Sequence, residues 1–192
     1  MYGLVHQGIR RMVTEMFSEE IWKRISEKAG GDDVYVAMDP YPDEQTLKLV
    51  MAASDVLEME PADVLKAFGK WWIGFAGTEY KSLLDMAGST SSEFMSNVNE
   101  IHARVGHLMP ELKPPNFRVE ELETGSFDDH LPSVFELHYF STRDGLFPMV
   151  HGMLEGVADS CGEDVLIEHL VHSSEGNERD IYRVSVTKKK NR

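Results

Sequence analysis

Near Pro110 the spacing of apolar residues switches from a helical to an alternating period, and the pair Pro114-Pro115 lies just beyond the switch. Adjacent prolines donate no amide hydrogen and hold the backbone extended, so no helix runs through them. A chain divided in this way is neither an all-helical bundle nor an all-β sandwich. It reads as α+β, with a helical N-terminal half packed with a C-terminal antiparallel sheet and helix. The 192 residues are 42% hydrophobic and 27% charged, enough to bury a substantial core.

In the first half, Ile9, Met12 and Met16 mark one helix, and Ile21, Trp22 and Ile25 continue it or begin a second. Gly30-Gly31 and Asp32-Asp33 read as a stop and a loop. Asp43 to Leu57 reads as a helix with Leu47, Val50, Met51 and Leu57 inward. Pro61 suits the first turn of the next helix, which is expected to reach about Phe75. Leu83, Leu84 and Met86 suggest a short helix. Thr90 with Glu93 forms a capping box opening a helix through about Met109. After the prolines, Phe117 and Val119 begin a strand, and Phe135, Leu137, Tyr139, Ser141 and Arg143 alternate with Glu136, His138 and Phe140 along a second. Asp144-Gly145 turns into a helix with Leu146, Met149, Val150, Met153 and Val157 on one stripe. Two further strands, around Val165 to Val171 and Tyr182 to Val186, flank a polar turn from Ser173 to Asn177. Lys188 to Arg192 reads as a frayed basic tail.

Charge narrows the partners. Nineteen Lys+Arg against 33 Asp+Glu give a net charge of −14, which repels phosphate backbones and anionic lipid. No nucleic acid and no membrane are therefore expected. No run of about 18 apolar residues or signal-like N-terminus is present, so the expected location is cytoplasmic. A single cysteine, Cys161, excludes an intrachain disulfide and an all-cysteine metal site.

Of the eight histidines, His102 stands apart. It falls in the inward stripe Met95, Val98, His102, Val105, Met109, whereas His107 falls on the other side. An inward imidazole needs either a hydrogen-bond partner or a metal. No His, Asp or Glu lies four residues away on that face, which argues against a multi-ligand zinc site. A lone protein ligand suits a metal that brings most of its own ligands, and haem is that case. If Tyr139, Ser141 and Arg143 continue one strand, they share a face at spacings of roughly 6–7 Å. They then form either a donor-rich clamp for carboxylates or a strand end emerging into water. Trp71, Trp72, Phe75, Met149 and Met153 read as ordinary core unless a flat cofactor is implied by something else.

These segments together resemble a known family over nearly the entire chain. They are Met1-Tyr2-Gly3-Leu4-Val5, Phe68-Gly69-Lys70-Trp71-Trp72, Asn99-Glu100-Ile101-His102-Ala103-Arg104-Val105, Pro114-Pro115-Asn116-Phe117 and Glu136-Leu137-His138-Tyr139-Phe140-Ser141-Thr142-Arg143. The chain is similar to the H-NOX (haem nitric oxide/oxygen binding) family, related to the haem domain of soluble guanylate cyclase, in its stand-alone bacterial form. The Y-x-S-x-R motif, downstream of a helical histidine and a proline pair, is specific in combination.

The resemblance implies a haem-based gas sensor rather than an enzyme. By it, residues 1–187 form one haem-binding domain, with a helical part over about 1–65, a haem-enclosing remainder over about 66–187, and a tail at 188–192. His102 is the axial ligand of a non-covalent b-type haem (heme b), for which no C-x-x-C-H attachment motif is needed or present. Tyr139, Ser141 and Arg143 hold the propionates, and Pro115 packs on the porphyrin. Val5, Trp72, Ile73 and Met149 are further haem contacts, the last three on the distal side. Members that hold dioxygen stably have a distal tyrosine, and the position matching it here is Met149. The expected ligands are therefore nitric oxide and carbon monoxide. The sensor uses up the chain, so its output is another polypeptide, a sensor histidine kinase or a cyclic-di-GMP enzyme. The cysteine-rich zinc site that some members add is not expected. Two other functions stay open on the residues alone: a haem-dependent enzyme, and a cofactor-free protein-interaction module.

Overall fold

The Ser18 side chain accepts the Ile21 amide at 3.2 Å and so starts a second helix rather than continuing the first. In the computed structural model, which describes residues 1–31, 34–123 and 132–189, helix α1 spans Gly3–Met16 and α2 spans Glu19–Ala29. The Asp32-Asp33 loop and residues 190–192 of the tail lie outside the described residues. Helix α3 covers Asp43–Leu57, α4 Pro61–Glu79 and α5 Lys81–Leu84. Helix α6 covers Ser91–Gly106, with the Thr90 hydroxyl accepting the Glu93 amide at 3.2 Å. The Glu93 carboxylate returns to the Ser89 amide at 2.8 Å, one residue before the cap.

Strands β1 (Asn116–Glu123) and β2 (Ser133–Phe140) precede helix α7 (Phe147–Ser160), and β3 (Glu163–Val171) and β4 (Asp180–Lys188) complete the chain. The four strands form an antiparallel sheet in the order β1-β2-β4-β3. The α+β architecture is the expected one.

Two apolar cores follow. One joins α1, α2 and α3 to the start of α4 through Ile9, Met12, Val13, Trp22, Ile25, Leu49 and Phe68. The other lies on the inner sheet face, where Phe135, Leu137, Tyr182 and Val184 pack under Met95 and Val98 of α6 and Leu154 and Val157 of α7. Helices α4 and α7 run against each other at very short range. A Cβ on Gly152 would sit 1.9 Å from the Lys66 carbonyl oxygen, and one on Gly69 would sit 2.1 Å from that of Met149. Only glycine admits this approach. It fixes where Met149 and Ile73 stand relative to each other.

Several sequence expectations are corrected. Leu47 and Met51 are 44% and 52% exposed, because α3 buries Thr46, Leu49, Ala52 and Ala53 beside the expected Val50. The helix is apolar on most sides, so its inward face is chosen by the fit of small alanines against neighbouring helices. Met16 and Met86 are also exposed. Helix α4 runs past Phe75 to Glu79, and α6 stops at Gly106, short of Met109. Strand β2 ends at Phe140, so Ser141 and Arg143 do not continue it. The C-terminal tail begins later than expected. Lys188 still pairs in β4, and the Lys189 amide donates to the Gly162 carbonyl at 2.9 Å.

Candidate functional site

His102 is carried on α6 by the burial of Met95, Val98 and Ile101 beneath it. Three residues earlier, Asn99 fixes the helix to β1 with reciprocal bonds. Its amide nitrogen donates to the Phe117 carbonyl at 2.7 Å, and its amide oxygen accepts the Phe117 N–H at 3.0 Å. Such a two-bond amide clasp sets both the height and the rotation of the helix against the strand. The His102 ring then lies 6.2 Å from the Phe117 ring, and Phe117 lies 5.4 Å from Tyr139.

His102 is half-buried, and like His6 and His138 it has a buried ring nitrogen with no hydrogen-bond partner. In His102 that atom is Nδ1. Burial lowers its pKa below the ordinary histidine value, and a contact with the Pro115 backbone opposes the shift only in part. The ring is therefore neutral near pH 7, which is the form that ligates a metal. An orphaned buried nitrogen costs about 1–3 kcal/mol, a penalty that a bound metal group would offset.

Although β2 stops at Phe140, the motif residues are brought together by the bend that follows. Burial raises the Tyr139 phenol above its ordinary pKa while a hydrogen bond with Ser141 pulls the other way, so the phenol stays a protonated donor. The Ser141 hydroxyl accepts the Arg143 amide at 3.0 Å. The Arg143 side chain donates through Nε to Asp43 Oδ2 at 2.9 Å and through Nη1 to the Lys113 carbonyl at 2.6 Å. It thereby ties the start of α3 to the segment leading into Pro114-Pro115. Burial would raise the Asp43 carboxyl, but hydrogen bonds from the Met1 amine and from Arg143 outweigh it and hold the pKa below the usual value.

The opposite group is apolar. Val5 and Met149 line one narrow cavity of about 30 Å³ together with Ile9, Leu49, Phe68 and Leu146. Ile73 is buried against Gly156 of α7, and the Trp72 ring packs on Gly8 of α1. His102, Pro115 and Tyr139 do not line that cavity. The expected residues thus fall into two groups, a polar one around α6, β1 and β2 and an apolar one around α1, α4 and α7. Asn99 and Asp43 are the positioning residues that sequence reasoning passed over. An amide and a carboxylate at helical positions carry no sign of their long-range partners.

A family model for haem-NO-binding domains matches residues 2–169. The chain belongs to the haem-NO-binding, or H-NOX, family. It is 28% identical over 164 residues to soluble guanylate cyclase gcy-35 of Caenorhabditis elegans, a match covering 82% of this chain and 22% of the cyclase. The H-NOX chain thus spans under a quarter of that relative. Among solved structures, an H-NOX protein from S. oneidensis in the Fe(II)NO ligation state superposes with a TM-score of 0.84 at 22% identity, covering 97% of this chain and 99% of that one. The SO2144 H-NOX domain from Shewanella oneidensis in the Fe(II)CO ligation state gives 0.81 at 21% identity, covering all of both chains. The H-NOX fold is therefore shared along the full chain. Its domains bind haem, and the residues here fit such a group: a neutral imidazole with a buried, unpartnered Nδ1, a phenol, a hydroxyl and a guanidinium gathered at the end of β2 and the bend after it, and apolar walls.

Proposed function

We propose that this H-NOX domain binds one non-covalent b-type haem through His102 and uses it to sense nitric oxide. The observation that carries the reading is the buried, unpartnered Nδ1 of His102 on a helix whose other buried positions are apolar or satisfied. Bound haem would supply a ferrous iron that takes one diatomic gas, nitric oxide or carbon monoxide. His102 would hold that iron, and its neutral ring is ready to do so without losing a proton. Tyr139, Ser141 and Arg143 would hold the propionates, the guanidinium through charge-assisted bonds. Pro115 would press on the macrocycle, while Val5, Trp72, Ile73 and Met149 would exclude water on the other side.

Gas binding becomes a signal only where a partner binds two conformations with different affinity. Arg143 joins α3, the segment before Pro114 and the bend after β2 through Asp43 and Lys113, so a shift of one is felt by the others. The domain is read as a sensor and not a catalyst, over residues 1–187 with a helical part at about 1–65. Its output is a separate signalling protein, a sensor histidine kinase or a cyclic-di-GMP enzyme, by analogy alone. The net charge of −14 favours a basic docking face and an association that weakens as salt rises.

The absorption spectrum of the reduced protein before and after nitric oxide tests this reading. One haem per chain and a shift of its Soret band are expected. Folded protein that takes up no haem would leave the cofactor-free module as the better reading, and peroxide turnover would favour the enzyme. A second outcome is expected at the clamp. Arg143→Ala should weaken haem retention by about tenfold or more, since hydrogen bonds to charged groups contribute about 1.5–3 kcal/mol each. Haem transfer to an acceptor protein measures this, and an unchanged transfer rate would remove Arg143 from the site.

A further inference from the structure

The two edges of the sheet are finished differently. At one edge β1 is closed by α6, whose Asn99 side chain bonds both the N–H and the C=O of Phe117. At the other edge β3 pairs with β4, and no other strand pairs with its outer side among the described residues. Every second residue of an edge strand turns its N–H and C=O away from the sheet. Such edges are commonly blunted by lysine, proline or a bulge. Strand β3 carries no lysine and no proline, and its pairing with β4 slips only between His169 and Val171, near its end.

The side chains along this edge form a regular pattern. Val165 and Ile167 pack inward on the core, which leaves Asp164, Leu166, Glu168 and Leu170 on the outer face. Leu166 is 64% exposed and Leu170 40%, so two leucines alternate with two exposed carboxylates in open water. Neither carboxylate is neutralised locally. Arg183 sits across from Glu168 on β4 but donates to Glu136 at 3.0 Å. Lys189, close to Asp164, donates to Asp159 at 2.7 Å. Among the described residues, neither Asp164 nor Glu168 forms an ion pair.

We propose that the β3 edge accepts an extended segment of a partner protein as a fifth strand, with basic side chains opposite Asp164 and Glu168 and apolar ones opposite Leu166 and Leu170. Main-chain hydrogen bonds to the open edge hold such a segment, and the side chains opposite one another select it. Charge decides against a second copy of this chain. Two β3 strands laid antiparallel about Leu166 set Asp164 against Glu168 twice, and about Glu168 they set that residue against itself. About Ile167 each carboxylate meets a leucine. Like charges directly opposite destabilise a pair of strands, and each copy also brings a net charge of −14. A segment whose every second residue is alternately basic and apolar meets neither obstacle, and a slip of two residues would set its basic groups on the leucines. The carboxylates thereby fix the register as well as the partner. Docking at β3 needs only the sheet, so it stands whether or not the chain holds haem.

The probe is a synthetic peptide as long as β3, nine residues, with arginine and leucine alternating at every second position and threonine between them. Added to the purified full-length protein, it should slow hydrogen exchange at the amides of β3 and leave those of β1 unchanged. Binding should weaken as salt rises. A peptide of the same composition with its arginines placed side by side should bind more weakly by about fivefold or more, and so should one with glutamate in place of arginine. Glu168→Lys, a change at an exposed position, should reverse the preference between the arginine and glutamate peptides while circular dichroism stays the same. Unslowed exchange in β3 at saturating peptide, equal binding of the two arginine peptides, or an unchanged preference in Glu168→Lys would each overturn the docking site. A concentration-dependent dimer that slows exchange in β3 without peptide would overturn it too, by making a second copy the occupant.

Discussion

His102→Gly protein should purify with almost no haem, and added imidazole should restore binding. The structure gives both halves of this expectation. Glycine removes the only ring on α6 whose buried nitrogen has no partner, and with it the proposed iron ligand. The Asn99 clasp on Phe117 is untouched, so the helix stays docked and leaves an imidazole-sized space in place. Free imidazole can then occupy the same position. Folding should suffer little. Glycine in a helix interior costs about 1 kcal/mol relative to alanine, and relief of the orphaned nitrogen offsets about 1–3 kcal/mol. The melting temperature of haem-free protein therefore serves as the control. Haem content by pyridine haemochrome and the Soret position are the readouts. Full haem occupancy with an unchanged spectrum would remove His102 from the iron.

Why the sequence carried so much of this is a matter of which signals are local. Helical stripes, the Thr90 cap, the proline pair and the strand alternation are each written within a few residues. The α+β fold follows from them. The motif Tyr139, Ser141, Arg143 was legible as a group, but its geometry was not. Alternation extended the strand to Arg143, whereas the backbone leaves β2 after Phe140 and Ser141 bonds to the Arg143 amide instead. Asp43 lies 100 residues from Arg143, and no local pattern couples such positions. In α3 the alternatives were nearly degenerate, since large apolar side chains occur on both sides of the helix and packing against neighbours decides.

Reduced, haem-loaded protein should bind nitric oxide and form no stable complex with dioxygen. A ferrous dioxygen complex carries partial negative charge outward and persists where a distal hydrogen-bond donor meets it. The cavity lined by Val5 and Met149 is nearly all apolar, with Thr46 as its one hydroxyl. That hydroxyl is 2.8 Å from His6 Nε2 and engaged with it. Met149, which the resemblance sets at the place of the distal tyrosine of dioxygen-holding members, has a thioether that donates nothing. Trp72 supplies the remaining donor to consider. Its ring packs against Gly8 and lies 5.7 Å from the Phe68 ring and 5.5 Å from that of Phe75, a setting that holds the indole among apolar groups. Nitric oxide bonds strongly to ferrous iron without such help, so it should bind where dioxygen does not. Exposing the reduced protein to air and following the visible spectrum separates the outcomes. Slow oxidation without a persistent oxygenated species is expected, and Trp72→Phe should leave that course unchanged. A stable oxygenated spectrum that disappears in Trp72→Phe would instead show that the indole N–H reaches the ligand, and the domain would then be a dioxygen binder despite Met149.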